Sequence, residues 1–162
     1  MRRLVSILSV YLLVLATTPV IGSTSGAHFM SSSATVNGSG ALVVSWDEAG
    51  LGNENVTYSL TANADATYAC INGGGKHPSA SNKETVSAQV SAGGSFQAKN
   101  GRVQASLTTG PLSAGSFACP SGQTLVLASV SYTSIVLTDT TNGVSSSLGD
   151  QSSCLVSVKG IC

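Results

Sequence analysis

The stretch Val56-Thr-Tyr-Ser-Leu-Thr-Ala-Asn-Ala-Asp-Ala-Thr-Tyr-Ala-Cys70 decides the fold. Every even position from 56 to 70 carries an apolar, aromatic or cysteine side chain, whereas the odd positions from 57 to 67 carry Ser, Thr, Asn or Asp. Successive side chains of an extended chain point to opposite faces, so this alternation predicts a half-buried β-strand. Because the stretch is longer than an ordinary strand, we expect a bend near Ala62 to Asp65, where small residues dominate.

Shorter alternating runs follow the same pattern, with Gly, Asn and Pro turns between them. The predicted strands are 34–37, 41–46, 86–92 with a continuation at 96–98, 103–107, 117–119, 125–138 and 155–158. The dipeptide Asn100-Gly101 predicts a hairpin joining its flanking strands, and a change of phase predicts a bulge near Thr133 or Ser134. We find no helical period after residue 27 and no internal repeat.

This series of strands predicts an all-β, antiparallel, immunoglobulin-like β-sandwich. The likeness to immunoglobulins is one of architecture only. Trp46 precedes Cys70 and Cys119 instead of lying between them, and Phe117 stands where a tyrosine corner would need a hydroxyl.

The first 27 residues have the features of a secretory signal peptide and its cleavage region. Arg2 and Arg3 precede the apolar run Leu4 to Leu15, which is too short to span a bilayer, and small residues from Gly22 to Ala27 supply cleavage sites. We therefore expect a single sandwich domain at 28–162, secreted and extracellular, with no membrane contact after cleavage.

The charge of the mature chain argues against nucleic acid as a partner. The full chain has seven basic and seven acidic residues. Removing Arg2 and Arg3 leaves five basic against seven acidic residues, a net charge near −2 that is scattered along the chain.

Four cysteines in a secreted chain predict two disulfides, for which three pairings exist. We favour Cys70 with Cys119, because each ends an aromatic-Ala-Cys triplet, and Cys154 with Cys162, which are close in the tail. The separation of the first pair suits a bridge between the two sheets. On the loop-entropy model the first bridge contributes about 4 kcal/mol and the second about 2.5 kcal/mol.

One loop is a candidate ligand site. It consists of Asn72, Gly73, Gly74, Gly75, Lys76 and His77. Its backbone amides and lysine could hold a small anion or glycan, although its spacing differs from that of the nucleotide-binding loops, and a flexible turn explains the same residues.

No catalytic, cofactor or metal site is predicted from the other residues. Asp47-Glu48 reads as an acidic loop that matches no calcium-ligand spacing even with Asn53 and Glu54. His77 has no convergent partner, and His28 is expected to be disordered beside the cleavage region.

Two further features concern sugars. Trp46, Tyr58, Tyr68 and Tyr132 all fall at inward strand positions, which leaves few aromatic side chains for stacking on a sugar. Asn37 and Asn55 begin glycosylation sequons, which matter only in a host that attaches glycans.

Three segments carry a resemblance to a known group of proteins. They are Trp46-Asp-Glu-Ala-Gly-Leu-Gly52, Ala66-Thr-Tyr-Ala-Cys-Ile-Asn-Gly-Gly-Gly-Lys-His-Pro78 and Cys119-Pro-Ser-Gly-Gln-Thr-Leu-Val-Leu-Ala-Ser-Val-Ser-Tyr132. With them, the region from about Ala41 to Gly143 resembles a group of small secreted actinomycete and fungal proteins that has no established activity. The resemblance implies secretion and the Cys70 to Cys119 bridge, but it does not extend to the tail cysteines.

These patterns lead to a functional hypothesis of a non-catalytic extracellular protein that binds another extracellular protein or a glycan. One alternative is a hydrolase whose site would join Asp47-Glu48 to the Gly73–His77 loop. Another alternative, which rests on size and disulfides alone, is a secreted toxin or inhibitor.

Overall fold

Eight β-strands make up the part of the chain that the computed structural model describes, residues 26–72 and 82–162. They are β1 His28–Val36, β2 Leu42–Ala49, β3 Asn55–Asn72, β4 Lys83–Gln97, β5 Arg102–Thr109, β6 Gln123–Asp139, β7 Val144–Leu148 and β8 Gln151–Cys154. Within those residues there is no helix. The all-β prediction is therefore confirmed.

The strands form two antiparallel sheets that pack face to face. Sheet A has the order β1-β2-β5, and sheet B has the order β4-β3-β6-β7, with β8 pairing along β6 beyond β7. The core between them includes Trp46, Tyr58, Leu60, Tyr132 and Ile135, each at most 4% exposed. This is the predicted antiparallel sandwich.

The long central strand follows its predicted alternation. Tyr58, Leu60, Ala62 and Ala64 are buried on the inner face. The pairing of β3 with β6 shifts register between Thr61 and Asn63, where we predicted a bend, and again between Thr67 and Tyr68. On the β6 side of the first shift, Ser134 has a φ of 52°, which confirms the predicted bulge.

Gly93 and Gly94 lie inside β4, which continues across the gap predicted between residues 92 and 96. A Cβ on Gly94 would come within 2.9 Å of the Phe96 ring, so the glycine makes room for that ring. Phe96 in turn packs edge-on against Trp46, with ring centroids 5.4 Å apart. The strand therefore continues because Gly94 allows close aromatic packing.

The Asn100-Gly101 turn is present, but it does not make the predicted hairpin. Both residues have positive φ, 53° and 74°, and backbone hydrogen bonds of 2.9 and 3.1 Å join Lys99 to Arg102. The strands on either side belong to different sheets, because β5 pairs along its whole length with β2. The turn therefore carries the chain from sheet B to sheet A.

Several predicted strand boundaries are wrong. β1 begins at His28, where disorder was expected, because its pairing with β2 extends to the His28–Ala49 position. Residues 117–119 and 155–158 are not strands. β7 and β8 were not predicted, since their serine-rich sequences have little strand character until β6 supplies a partner.

Both predicted disulfides are formed. The first, Cys70–Cys119, has a Cα separation of 5.5 Å and is called here the long bridge. The second, Cys154–Cys162, has a Cα separation of 5.9 Å and is called the tail bridge. Because Cys119 lies in the irregular segment 110–122, the long bridge ties β3 to that segment, and the expectation that it joins the two sheets is wrong.

Beyond Ala66, sheet B is covered on both faces by irregular chain. On the inner face, the Tyr68 hydroxyl donates a 2.7 Å hydrogen bond to the Leu112 carbonyl in the segment 110–122. On the outer face, Val158 of the tail is buried in a small second cluster with Ala69 and Ala128. Each of these two covering segments is held by one disulfide.

Candidate functional site

The outer face of sheet B is covered almost entirely by hydroxyl and amide side chains. On β3 the outward residues are Thr57, Ser59, Thr61, Asn63, Asp65 and Thr67, and the odd positions 85–95 of β4 opposite them are Ser, Thr, Gln or Gly. The outward neighbours on β6, β7 and β8 are mostly Ser and Thr. We call this surface, from 57 to 67 on β3 and across its neighbours, the hydroxyl face.

The hydroxyl face is large enough to contact a macromolecule. Neighbouring strands lie about 4.8 Å apart and alternate residues about 6.6 Å apart along a strand, so the hydroxyls form a regular two-dimensional array. Ten residue steps along β3 and four strands across give roughly 600 Å². That is toward the lower end of one partner's share in a stable protein interface, about 800 Å².

Asp65 is the only charged side chain among the described residues of the hydroxyl face. It is exposed, and its carboxylate accepts a 2.5 Å hydrogen bond from the Ser87 hydroxyl and a 3.4 Å hydrogen bond from the Ser131 hydroxyl. Beside it, the Thr67 and Thr85 hydroxyls are 2.9 Å apart. A carboxylate can accept about four hydrogen bonds, so Asp65 keeps acceptor capacity.

A depression of about 340 Å³ lies beside Asp65. Its floor includes Thr67 of β3 and Ser129 and Ser131 of β6, one side is formed by β8, and the far wall is formed by Ile161 and the tail bridge. We call it the Asp65 groove. At this depression the flat hydroxyl face becomes concave.

A second polar group lies inside the sandwich at the opposite end of β3. Glu48 continues the inward phase of Leu42, Val44 and Trp46 along β2, and its side chain is 0% exposed. It faces the Tyr58 hydroxyl of β3 and the carboxyl of Asp139 at the end of β6. These residues form the buried acid cluster.

Burial governs the pKa values of Glu48 and Tyr58. The pKa of Glu48 is raised to about 7, mainly because the side chain is removed from water; the nearby Asp139 adds to this rise, and the Tyr58 hydroxyl and His28 oppose it. Burial likewise raises the pKa of Tyr58. Among the described residues, neither Glu48 carboxyl oxygen finds a hydrogen-bond partner of ordinary geometry.

Asp139 is held differently from Glu48. Its carboxylate accepts hydrogen bonds from the backbone amides of Thr141 and Asn142, at 2.8 and 2.9 Å, and from the Asn142 side chain at 2.6 Å. It therefore organises the β6–β7 turn. Because Glu48 and Asp139 are both 0% exposed, the pair cannot reach a substrate while the sandwich is closed.

The predicted acidic loop at Asp47-Glu48 is wrong, because both residues lie in β2. Asp47 points outward, where it forms an ion pair with Arg102 and accepts a 2.8 Å hydrogen bond from Gln104. The Arg102 guanidinium lowers the pKa of Asp47 to about 2. The sequence predicts a loop at Asp47-Glu48 because Asp and Glu are uncommon in strands. The pairing of β2 with β5 outweighs this low strand propensity.

The predicted ligand loop is described only at its first residue. Asn72 ends β3, whereas Gly73, Gly74, Gly75, Lys76 and His77 lie outside the described residues. Tyr58, which Glu48 faces, precedes Asn72 by fourteen residues on β3, a distance of about 45 Å along an extended strand. The hydrolase alternative would therefore join Glu48, which lies near the beginning of β3, to a loop that follows the end of β3.

The predicted positions of the aromatic residues are confirmed for Trp46, Tyr58 and Tyr132, which are buried, and Tyr68 packs partly buried against the core. Of the sequons, Asn37 is exposed in the β1–β2 turn and Asn55 is exposed at the start of β3. Glycosylation at these two positions stays a prediction.

Comparison with family models, with curated proteins and with solved structures gives no match. In residues 26–72 and 82–162, no group of three His, Cys, Asp or Glu side chains is placed to bind a metal ion. The same residues include no apolar helix of membrane-spanning length.

Sequence reasoning missed the hydroxyl face, although its signal was present. The odd positions of β3 and β4 are polar and almost uncharged, which was interpreted only as a solvent-facing side. About a quarter to a third of the residues on a soluble surface are usually charged, whereas the strand positions of this face carry a single charged residue, Asp65.

Proposed function

We propose that this protein is a secreted, non-catalytic binding protein and that the hydroxyl face is its binding surface. The observation that carries the proposal is the array of Ser, Thr, Asn and Gln across the outer face of sheet B, which is interrupted at Gly93 and Val136 and has Asp65 as its only described charge. A surface adapted for solubility usually has about 25–35% charged residues, whereas this face has one described charged side chain.

The chemistry of the face favours an extended partner over a small molecule. A single neutral hydrogen bond contributes about 0.5–1.5 kcal/mol net, so useful affinity requires many of them at once. An array of roughly 600 Å² can supply them only to a partner with a matching surface.

Two features support an extracellular location. Two disulfides are typical of proteins that mature in an oxidising compartment. The residues before β1 have the basic, apolar and small-residue pattern of a secretory signal.

The proposal is tested by co-sedimentation of the purified protein with insoluble cell-wall and extracellular-matrix fractions. Thr61→Lys places a charge at the centre of the hydroxyl face, and Ser45→Lys places the same charge on the exposed outer face of sheet A. We expect Thr61→Lys to reduce binding strongly and Ser45→Lys to bind like the wild type. Equal binding by all three proteins, or loss in the Ser45 variant alone, contradicts the proposal.

A further inference from the structure

We propose that the Asp65 groove binds a sugar unit of a neutral polysaccharide whose chain continues across the hydroxyl face. This inference rests on the proposed binding function and assigns the chemistry of its ligand. It is argued from the charge, the hydrogen-bonding groups and the walls of the groove.

Charge narrows the ligand class first. The side chains that line the Asp65 groove include one carboxylate and no Lys, Arg or His. A phosphate, sulfate or uronic acid group there would meet a negative charge with no cation to compensate it. Polyanions are therefore disfavoured, including nucleic acids and acidic polysaccharides.

The hydrogen-bonding groups of the groove limit the ligand class further. The floor offers the hydroxyls of Thr67, Ser129 and Ser131, which can donate and accept, beside a carboxylate that only accepts. A ligand rich in hydroxyl groups satisfies both kinds of group, and hydroxyls donated to a carboxylate form the stronger, charge-assisted bonds. A peptide side chain of the kind that dominates protein interfaces, such as Trp or Tyr, is best held in an apolar pocket, whereas the floor of this groove is polar.

The walls of the groove supply the remaining contact. Ile161 is partly buried and lines the groove at the tail, opposite the polar floor. A sugar ring has hydroxyls at its edge and C–H groups on its faces, so it can turn its edge to Asp65 and a face to Ile161. The depression of about 340 Å³ is at the small end of ligand sites, which suits one or two rings of a longer chain.

The shape of the surface requires a polymer. The groove opens directly onto the remaining rows of the hydroxyl face, which extend along β3 toward Thr57. A monosaccharide would use the groove alone and gain few hydrogen bonds, whereas a polysaccharide repeats the same hydroxyl chemistry along the array.

The test is a depletion assay with four insoluble or gelled probes. Cellulose and chitin are neutral, polygalacturonate is anionic and chitosan is cationic. We expect binding to at least one neutral probe and none to polygalacturonate. We also expect little change in affinity when the ionic strength is raised, because no ion pair is involved. Binding only to chitosan, or a steep loss with salt, overturns the inference.

Variants locate the site. Asp65→Asn keeps the shape and removes the charge-assisted acceptor, so we expect at least tenfold weaker binding to the neutral probe. Ser152→Lys fills the groove from exposed β8 without touching Asp65 and should also abolish binding. Glu54→Gln removes a carboxylate from the exposed loop before β3 and should bind like the wild type.

These variants also separate this inference from the proposed function. If Thr61→Lys loses binding while Asp65→Asn and Ser152→Lys retain it, the hydroxyl face binds but the Asp65 groove does not, and only this inference fails. If Thr61→Lys also binds like the wild type, both fail. Thermal unfolding of every variant confirms that a loss of binding is not a loss of folding.

Discussion

Replacing Glu48 by Gln should remove the loss of stability that this one carboxyl group causes between pH 4.5 and about 7. In the folded wild type the pKa of the buried Glu48 is raised from 4.5 to about 7. Between these values the folded protein keeps the proton and the unfolded chain loses it, so the free energy of unfolding falls as the pH rises. The stabilisation is fully present below pH 4.5 and is lost by about pH 7.

The size of this effect follows from the shift. One pKa unit corresponds to 1.36 kcal/mol, so the rise in the pKa from 4.5 to about 7 predicts a loss of about 3 kcal/mol across the window. The full value applies because the side chain of Glu48 is 0% exposed. The Asp47–Arg102 pair does not contribute here, since the pKa of Asp47 is lowered to about 2 and its titration lies well below this window.

The measurement is urea unfolding of the wild type and the Glu48→Gln variant at intervals across the window. Gln has the shape of protonated Glu and cannot ionise, so the difference between the two proteins isolates one carboxyl group. His28, Tyr58 and Asp139 face Glu48 from β1, β3 and β6 and are present in both proteins, so the two proteins differ only in the side chain at position 48.

The control is Glu54→Gln, which makes the same chemical change at an exposed position. Its stability should follow that of the wild type across the window. The reasoning is refuted if the difference between wild type and Glu48→Gln stays constant from pH 4.5 to 7, or if the wild type gains stability as the pH rises.

Three further predictions concern stability. Tyr132→Phe should lower the free energy of unfolding by about 1–3 kcal/mol, because it leaves the buried Gly40 carbonyl without the hydrogen bond that the Tyr132 hydroxyl donates at 2.7 Å; urea unfolding measures this, and an unchanged midpoint contradicts it. Gly101→Ala should destabilise the protein by more than 1 kcal/mol, because the residue has a φ of 74° and an added Cβ would lie 2.8 Å from the Leu51 carbonyl oxygen; a thermal melt equal to that of the wild type would rule this out. Replacing both cysteines of the long bridge by Ala should cost about 4 kcal/mol against about 2.5 kcal/mol for the tail bridge, and the reverse order in denaturant titrations would show that loop length does not govern these bonds.

The sequence predicted the sheets better than it predicted their connections. Alternation in β3 identified the buried residues because burial acts on each residue separately, and it placed Tyr58 and Leu60 in the core. The Asn100-Gly101 turn was also found, but its φ values are local, and which strand β5 joins depends on pairing with β2. A local pattern cannot report that choice.

The candidate site was less predictable for the same reason. The sequence predicts a loop at Glu48 because a charged side chain is unfavourable in a core. The alternation of β2 turns Glu48 inward, and its raised pKa lets the carboxyl group be buried in the neutral form. In the sequence, Asp65 is one polar residue in an alternating strand and has no motif around it. The groove beside it forms only when β3 packs with β6, β8 and the tail, whose groove residues lie more than sixty positions later in the chain.

Because β3 is long, two groups that respond to different chemical conditions lie near its opposite ends. Near its first residues the strand meets a carboxyl group that responds to acidity, and near its last residues it carries a sulfur bond that responds to reductants. Sheet A reaches the first region and not the second, where irregular chain takes over the covering role. Amide hydrogen exchange should therefore record two independent openings, with alkaline conditions loosening one end and thiol reagents loosening the other.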